Sequence, residues 1–178
     1  GVSGLALMRG LPERTVLTTV DPDAEAQRAA REAFSEARLP TSRTRMITGR
    51  SRLVLPRLTS GAYEMVLVDG DPAARQFDVE QAARMLAPGG VLAYVTCSPH
   101  VAETVVQVQD LVRRHPELEL LDARTALDTV ALDDLRLDEA EPAGAPEPAD
   151  VVARTAQLWP HRHGTDAMFL ALLRAPGA

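Results

Sequence analysis

Pro88-Gly89-Gly90-Val91-Leu92-Ala93-Tyr94-Val95-Thr96-Cys97-Ser98-Pro99-His100 is the stretch on which the fold turns. Pro-Gly-Gly marks a tight turn, and the apolar, β-branched run over residues 91–97 reads as a buried strand. A small polar cluster closes that strand at its carboxyl end, the end at which open α/β sheets do their chemistry. Cys97 lies inside the cluster, between Thr96 and Ser98, and is the only cysteine of the chain.

Before this strand, residues 72–86 read as a helix stopped by Pro88-Gly89-Gly90. Residues 63–69, Tyr-Glu-Met-Val-Leu-Val-Asp, read as a strand ending in an acid. Further back lie a short helix over 51–58, a short strand over 44–48 and a helix over 24–37. The apolar face of that longer helix is formed by Ala29, Ala30, Ala33 and Phe34. Residues 16–21 form another short strand that ends in an acid, Asp21. Beyond His100, an amphipathic helix over 102–115 leads to a strand over 118–121, and a last strand covers 167–174. Strands alternating with helices imply an α/β fold with a mainly parallel sheet. Residues 133–150 are acidic, rich in Ala and Pro and without periodicity, which predicts a solvated, mobile loop.

At 178 residues the expectation is a single domain, 1–178, with a real core. Aromatic residues make up only 3%, so Leu, Val and Ala must fill that core. There is no Lys and no Asn, and all 19 basic residues are Arg. A net charge of -6 argues against strong non-specific nucleic-acid binding, though not against a local basic patch. One cysteine cannot form an internal disulfide. No apolar run approaches the ~20 residues of a membrane helix, and no signal peptide is visible. The expected location is therefore cytoplasmic, with no membrane partner.

Two resemblances meet at the Pro88-Gly89-Gly90 turn. Four pieces carry the first: Gly1-Val2-Ser3-Gly4 opening a helix, Leu17-Thr18-Thr19-Val20-Asp21, Ile47-Thr48-Gly49-Arg50-Ser51, and Val66-Leu67-Val68-Asp69-Gly70-Asp71-Pro72. By them, residues 1–86 resemble bacterial class I O-methyltransferases of the catechol or caffeoyl-CoA type. The second is carried by Tyr94-Val95-Thr96-Cys97-Ser98-Pro99-His100 with Glu103-Thr104, and by Gln157-Leu158-Trp159-Pro160-His161-Arg162-His163-Gly164-Thr165-Asp166-Ala167-Met168-Phe169. By these, residues 88–178 resemble the Sun-type (RsmB-like) ribosomal RNA cytosine-5 methyltransferases. Both imply a Rossmann-like methyltransferase sheet, mostly parallel, with an antiparallel strand near the C-terminus. Both imply S-adenosylmethionine as cofactor. In that fold the first strand is central and precedes the glycine-rich turn, so a sheet lacking its central strand is expected here, with a weakened or absent cofactor pocket.

The first resemblance makes Asp21 the candidate ribose anchor; the plainer alternative is a cap for the helix after Pro22. Gly1, Ser3 and Gly4 would lie against the methionine part of the cofactor, glycine allowing close backbone approach. Gly49 and Ser51 would lie near the adenine, with an N-cap as the equal alternative for Ser51. Asp69 would contact cofactor or substrate, and Asp71 the substrate. The O-methyltransferases hold a divalent metal with such acids plus an Asp-Asn pair after the next strand. That place is Thr96-Cys97 here, so the metal set is incomplete. Mg²⁺ enters only under the O-methyltransferase alternative.

The second resemblance makes Cys97 the nucleophile that attacks C6 of cytosine, and Asp69 or Asp71, from the adjacent strand end, is expected to supply the acid. The plainer alternative is a buried, inert cysteine. Ser98, Pro99, His100, His163 and Asp166 would then contact substrate. Family members carry a Pro-Cys pair after the fourth strand, whose cysteine helps release the product; Asp71-Pro72 stands there instead. His161, Arg162, His163 and Asp166 have metal-ligand chemistry, but a terminal loop beside the active site accounts for them. Trp159 is expected to be buried rather than a stacking platform, and Arg113, Arg114 and His115 to end a helix where the dipole favours cations. RNA cytosine is the preferred substrate. A small hydroxylated molecule is the alternative, and a cofactor-binding or inactive hybrid the third reading.

Overall fold

The computed structural model describes residues 2–131, 135, 137 and 149–177. Two compact units divide the chain, residues 1–58 and 59–178.

The first unit contains α1 (Val2–Gly10), β1 (Leu17–Asp21), α2 (Ala24–Glu36), β2 (Thr44–Thr48) and α3 (Ser51–Val54), which runs on as a 3-10 turn, Leu55–Arg57. β1 and β2 pair in parallel, from Leu17 opposite Thr44 to Asp21 opposite Thr48. Asp23 starts α2 by accepting hydrogen bonds from the amides of Glu25 and Ala26, two of the donors a helix leaves orphaned. The buried face of α2 is Gln27, Ala30 and Phe34, while Ala29, expected on it, is exposed. Positions 27, 30 and 34 fall on one stripe of a 3.6-residue helix, and 29 lies off it. Gln27 is tolerated there because its amide is satisfied. Its Oε1 accepts from the Thr19 hydroxyl and its Nε2 donates to the Ile47 carbonyl, each at 3.2 Å.

The second unit contains β3 (Tyr63–Val68), α4 (Arg75–Met85), β4 (Leu86–Thr96), α5 (Val105–Arg114), β5 (Glu119–Leu121), α6 (Ala123–Val130), α7 (Ala149–Arg154), β6 (Ala156–Gln157), α8 (Pro160–His163) and β7 (Phe169–Arg174). Its sheet has the order β3-β4-β7-β5, with β6 also on β7. β3 and β4 are parallel, and β7 runs antiparallel to β4, β5 and β6. The fold is thus α/β and mostly parallel, with one antiparallel strand near the C-terminus. The strands form two sheets, β1-β2 and the five-stranded one.

β4 explains its own sequence. It lies between β3 and β7 with both faces covered, so Leu92, Ala93 and Tyr94 are all buried in a row and no alternation is visible. β7 alternates instead, burying Phe169, Ala171 and Leu173. Leu92 and Leu173 are fully covered and Phe169 is 1% exposed; each such side chain contributes about 1.5–3 kcal/mol of burial. The Phe169 ring meets Tyr94 edge-on at 6.2 Å.

Pro88-Gly89-Gly90 is not a turn ahead of the strand. β4 already begins at Leu86, paired with Tyr63, and pairing resumes at Val91 opposite Met65, so the tripeptide is an interruption within β4. Gly89 takes φ +72° there, and a Cβ on Gly90 would lie 2.8 Å from the Tyr63 carbonyl oxygen. Only glycine fits both demands.

Leu137, inside the stretch expected to be solvated, is 4% exposed and packs with Ala123 and Ala156. The rest of that stretch, apart from Leu135, Ala149 and Asp150, lies outside the described residues.

Candidate active site

Because β3 and β4 run side by side in parallel, with Val68 opposite Tyr94, the residues that follow each strand emerge at the same sheet edge. Asp69 and Gly70 leave β3 there, and Cys97 and Ser98 leave β4. Together with Pro72, Arg75, Val95, Thr96 and Glu103 they line a cleft of ≈ 280 Å³. Cys97 is exposed at the strand end rather than buried in the core. Desolvation raises the pKa of Asp69 above its ordinary value, so it holds its proton to higher pH than a free aspartate does.

Beneath the cleft lies a buried cation. Arg75 is 7% exposed, and its guanidinium donates to the Thr96 hydroxyl at 3.2 Å and pairs with Glu103 at 3.4 Å. It also sits 5.9 Å from the centre of the Tyr94 ring. The Tyr94 hydroxyl donates to the Glu103 carbonyl at 2.6 Å. Burial pushes the Tyr94 pKa up to about 12, aided by the Glu103 charge and opposed by Arg75, so the phenol stays a donor at neutral pH. A hydrogen bond from Ser98, and after it Arg75 and the neighbouring charges, lower the pKa of Glu103. The charged pair is therefore maintained at neutral pH.

Arg75 and Glu103 escaped the sequence reading as site residues. One signal was available: a cation in the first turn of a helix opposes the macrodipole, so Arg75 needs a partner to explain it.

Several expected site residues are engaged locally instead. Asp71 accepts from the amide of Ala73 at 2.9 Å. His100 accepts through Nδ1 from Ala102 and so caps the 3-10 turn Val101–Glu103. Pro99 is exposed beside it. His163 accepts at Nδ1 from the Trp159 amide at 2.7 Å and contacts the Leu135 carbonyl through Nε2 at 2.9 Å. A carbonyl can only accept, so Nε2 carries the proton and both ring nitrogens serve the main chain. Asp166 is exposed, its carbonyl accepting from the Met168 amide. Trp159 is half-buried, tilted against His161 at 6.1 Å.

In the first unit, Asp21 ends β1 and accepts from the Asp23 amide at 2.8 Å, while Asp23 rather than Asp21 caps α2. Gly49 follows β2 and donates to the Asp21 carbonyl at 2.9 Å. Ser51 is the first residue of α3, whose N-cap position belongs to Arg50, so the capping alternative for Ser51 does not hold. Ser3 is exposed on α1. Gly4 faces the interior: a Cβ would meet Leu17 and Phe34 at 3.0 Å each. Its smallness serves packing between α1, β1 and α2. Gly1 lies outside the described residues.

Taken unit by unit, the side chains with chemistry for S-adenosylmethionine are the Asp21 carboxylate at the end of β1 and the Ser51 hydroxyl after β2 in the first, and the Asp69 carboxyl after β3 in the second. These suit ribose hydroxyls and amines. For a divalent metal the set is short: among the described residues no three His, Cys, Asp or Glu side chains converge to hold an ion.

Polar groups gathered at the carboxyl edge of an α/β sheet with one antiparallel strand define the class I S-adenosylmethionine-dependent methyltransferase fold. The chain belongs to that class by family: residues 73–174 match the 16S rRNA methyltransferase RsmB/F family and residues 1–94 match a methyltransferase-domain family. The two matches overlap over 73–94, across α4 and the glycine interruption of β4. A protein of Mycobacterium tuberculosis (strain CDC 1551 / Oshkosh) named as a methyltransferase is 48% identical over 93 residues, 52% of this chain and 17% of that protein. One from Mycobacterium sp. (strain JLS) named as an O-methyltransferase is 49% identical over 92 residues, 52% of this chain and 42% of that protein. The chain thus spans less than half the length of these relatives. Among solved structures, NSun6 from Pyrococcus horikoshii with SFG has a TM-score of 0.69 at 18% identity, covering 98% of this chain and 45% of that one. The O-methyltransferase TomG from Streptomyces achromogenes, in complex with SAM, has a TM-score of 0.63 at 17% identity, covering 98% and 69%. Among the described residues, no helix is long and apolar enough to cross a membrane.

Proposed function

We propose that the chain methylates C5 of a cytosine in RNA, ribosomal RNA being the expected substrate, with Cys97 as nucleophile. The observation that carries this reading is the shared cleft: an exposed thiol at the end of β4 and a partly desolvated carboxyl at the end of β3 line the same pocket.

S-adenosylmethionine, when bound, supplies an electrophilic methyl group, and Asp21 and Ser51 offer side chains suited to its ribose and amines. The residues of the chain prepare the base. Cys97, as thiolate, adds to C6 and forms a C–S bond, which places electron density on C5. Asp69 in its protonated form donates to the ring as negative charge develops on it. After methylation, loss of the C5 proton and expulsion of the Cys97 sulfur restore the aromatic ring and the free enzyme. Asp71-Pro72 occupies the position where the family has its releasing cysteine, so release is expected to be slow and the Cys97–RNA adduct to accumulate.

The test is incubation with S-adenosylmethionine and a 5-fluorocytidine RNA, followed by denaturing electrophoresis. A denaturant-stable complex with the native protein, absent in Cys97→Ala, is expected. No complex with the native protein, or an equal one with Cys97→Ala, rules the mechanism out.

O-methylation of a small hydroxylated molecule is favoured by one observation of its own, the match of residues 1–94 together with the relatives named as O-methyltransferases. It predicts activity that survives Cys97→Ala and is lost in Asp69→Ala. Mg²⁺ dependence would accompany it, although among the described residues no three acids, His or Cys converge to hold an ion and Asp71 is engaged by its own turn.

A further inference from the structure

We infer that Arg75 and Glu103 form a positioning pair that grips the Cys97 turn from both sides, through Thr96 before the cysteine and the Ser98–His100 turn after it. Thr96 is the last residue of β4 and is 6% exposed; its hydroxyl accepts from Arg75. After the cysteine, the Ser98 Oγ accepts from the His100 amide at 3.1 Å, and the His100 carbonyl accepts from the Glu103 amide at 2.8 Å. Arg75 and Glu103 are themselves paired, which closes the circuit around Cys97. Tyr94 locks it from below, lying against the guanidinium and donating to the Glu103 main chain.

Three physical facts favour this over incidental packing. Burying a guanidinium is expensive unless its donors are satisfied. Its place in the first turn of α4 adds an unfavourable dipole term. Every partner that offsets these penalties belongs to the strand end or turn around Cys97, not to the body of the helix. A nucleophile must also be held in near-attack geometry, and a turn with one exposed cysteine and a flanking proline does not achieve that alone. The pair acts through Thr96 and the Ser98–His100 turn, so its function is to position Cys97 rather than to react.

This inference rests on the nucleophile reading for its purpose, but its test does not need substrate. The only cysteine can be alkylated with a bromotrifluoroacetone and followed by fluorine NMR in the full chain. A single narrow resonance is expected for the native protein. Arg75→Met and Glu103→Gln should each split or broaden it as the turn begins to exchange among conformers. Arg75→Lys, which keeps a donor and the charge, should restore most of the native line. The double variant should look no worse than either single one, because one circuit can be broken only once. Ser98→Ala, which touches no buried charge, should broaden the line less; it decides the matter if Arg75→Met fails to fold by thermal melting. Native-like lines in Glu103→Gln and Ser98→Ala, or independent additive effects of the two pair members, overturn the inference. An ordered native line that loosens in these variants, with no RNA adduct formed, would leave the positioning pair standing and the cytosine reading refuted.

Discussion

The carboxyl end of β1 and the carboxyl ends of β3 and β4 start from similar material: a short apolar strand, an acid or thiol, then a helix. At β1 the groups turn inward on their own backbone. Asp21 accepts from Asp23, Gly49 donates to the Asp21 carbonyl, and Asp23 caps the next helix. At β3 and β4 a buried cation reorganises the strand ends, and the thiol is left exposed beside a desolvated carboxyl. Local hydrogen bonds suffice to finish a strand end. Building a reactive cleft takes a group from elsewhere in the chain, here Arg75, 21 residues ahead of Thr96.

The largest expected effect tests whether the second of these ends carries the chemistry. Cys97→Ala should abolish the 5-fluorocytidine adduct outright, whereas Asp21→Ala should weaken cofactor binding by calorimetry and leave Cys97 reactive to alkylation. Loss of thiol reactivity in Asp21→Ala would break the division of labour. Next in size, Phe169→Ala should remove about 3–5 kcal/mol of stability by denaturant unfolding, since the ring is 1% exposed and packs on Tyr94. A loss under about 1 kcal/mol would mean that β7 is not the keel of the second unit.

Gly4→Ala sharpens the contrast within the first unit. Alanine gains up to about 1 kcal/mol in a helix interior, but overpacking against Leu17 and Phe34 takes about 1–3 kcal/mol. A lower melting temperature with unchanged cofactor affinity is the expected result. The reverse pattern would return Gly4 to the cofactor site. Asp23→Ala should lose about 1 kcal/mol through the missing cap.

The smallest effect is a pH dependence at the end of α5, far in sequence from either cluster. His115 contacts Glu80 at 2.7 Å and Glu117 at 3.0 Å, and Arg114 also pairs with Glu80 and Asp110. Burial alone would lower the His115 pKa, but the hydrogen bonds to the two glutamates outweigh it and the pKa is raised. The imidazolium is favoured in the folded state, so its contribution is complete below the unfolded pKa of about 6.5 and fades as pH rises through the folded value. Melting across pH 6 to 8 should show a decline that Glu80→Gln flattens, worth no more than about 1 kcal/mol because the pairs are near the surface.

Much of this was legible beforehand. Apolar runs bounded by turn residues located β1, β2, β3, β5 and β7; position put Asp69 and Cys97 at strand ends, and the resemblances gave them their expected roles. Helical periodicity found α2, α4 and α5, but it put Ala29 on the buried face because composition favours alanine over glutamine there. The terminal His161-Arg162-His163 run read as a loop and is the short helix α8, from which His163 reaches the Leu135 carbonyl.

By itself, then, the sequence determined the α/β class, the order of its main strands and the place of the one cysteine at a strand end, because those follow from periodicity, turn chemistry and residue type, which are local. Tertiary structure alone decided that Pro88-Gly89-Gly90 interrupts β4 rather than preceding it, that Gly4 serves packing, that His163 serves the main chain, and that Arg75 lies beneath Cys97. Each of these depends on which distant group fills a space or satisfies a buried donor. Such pairings are set by the whole packed chain and leave no periodic trace in the residues that make them.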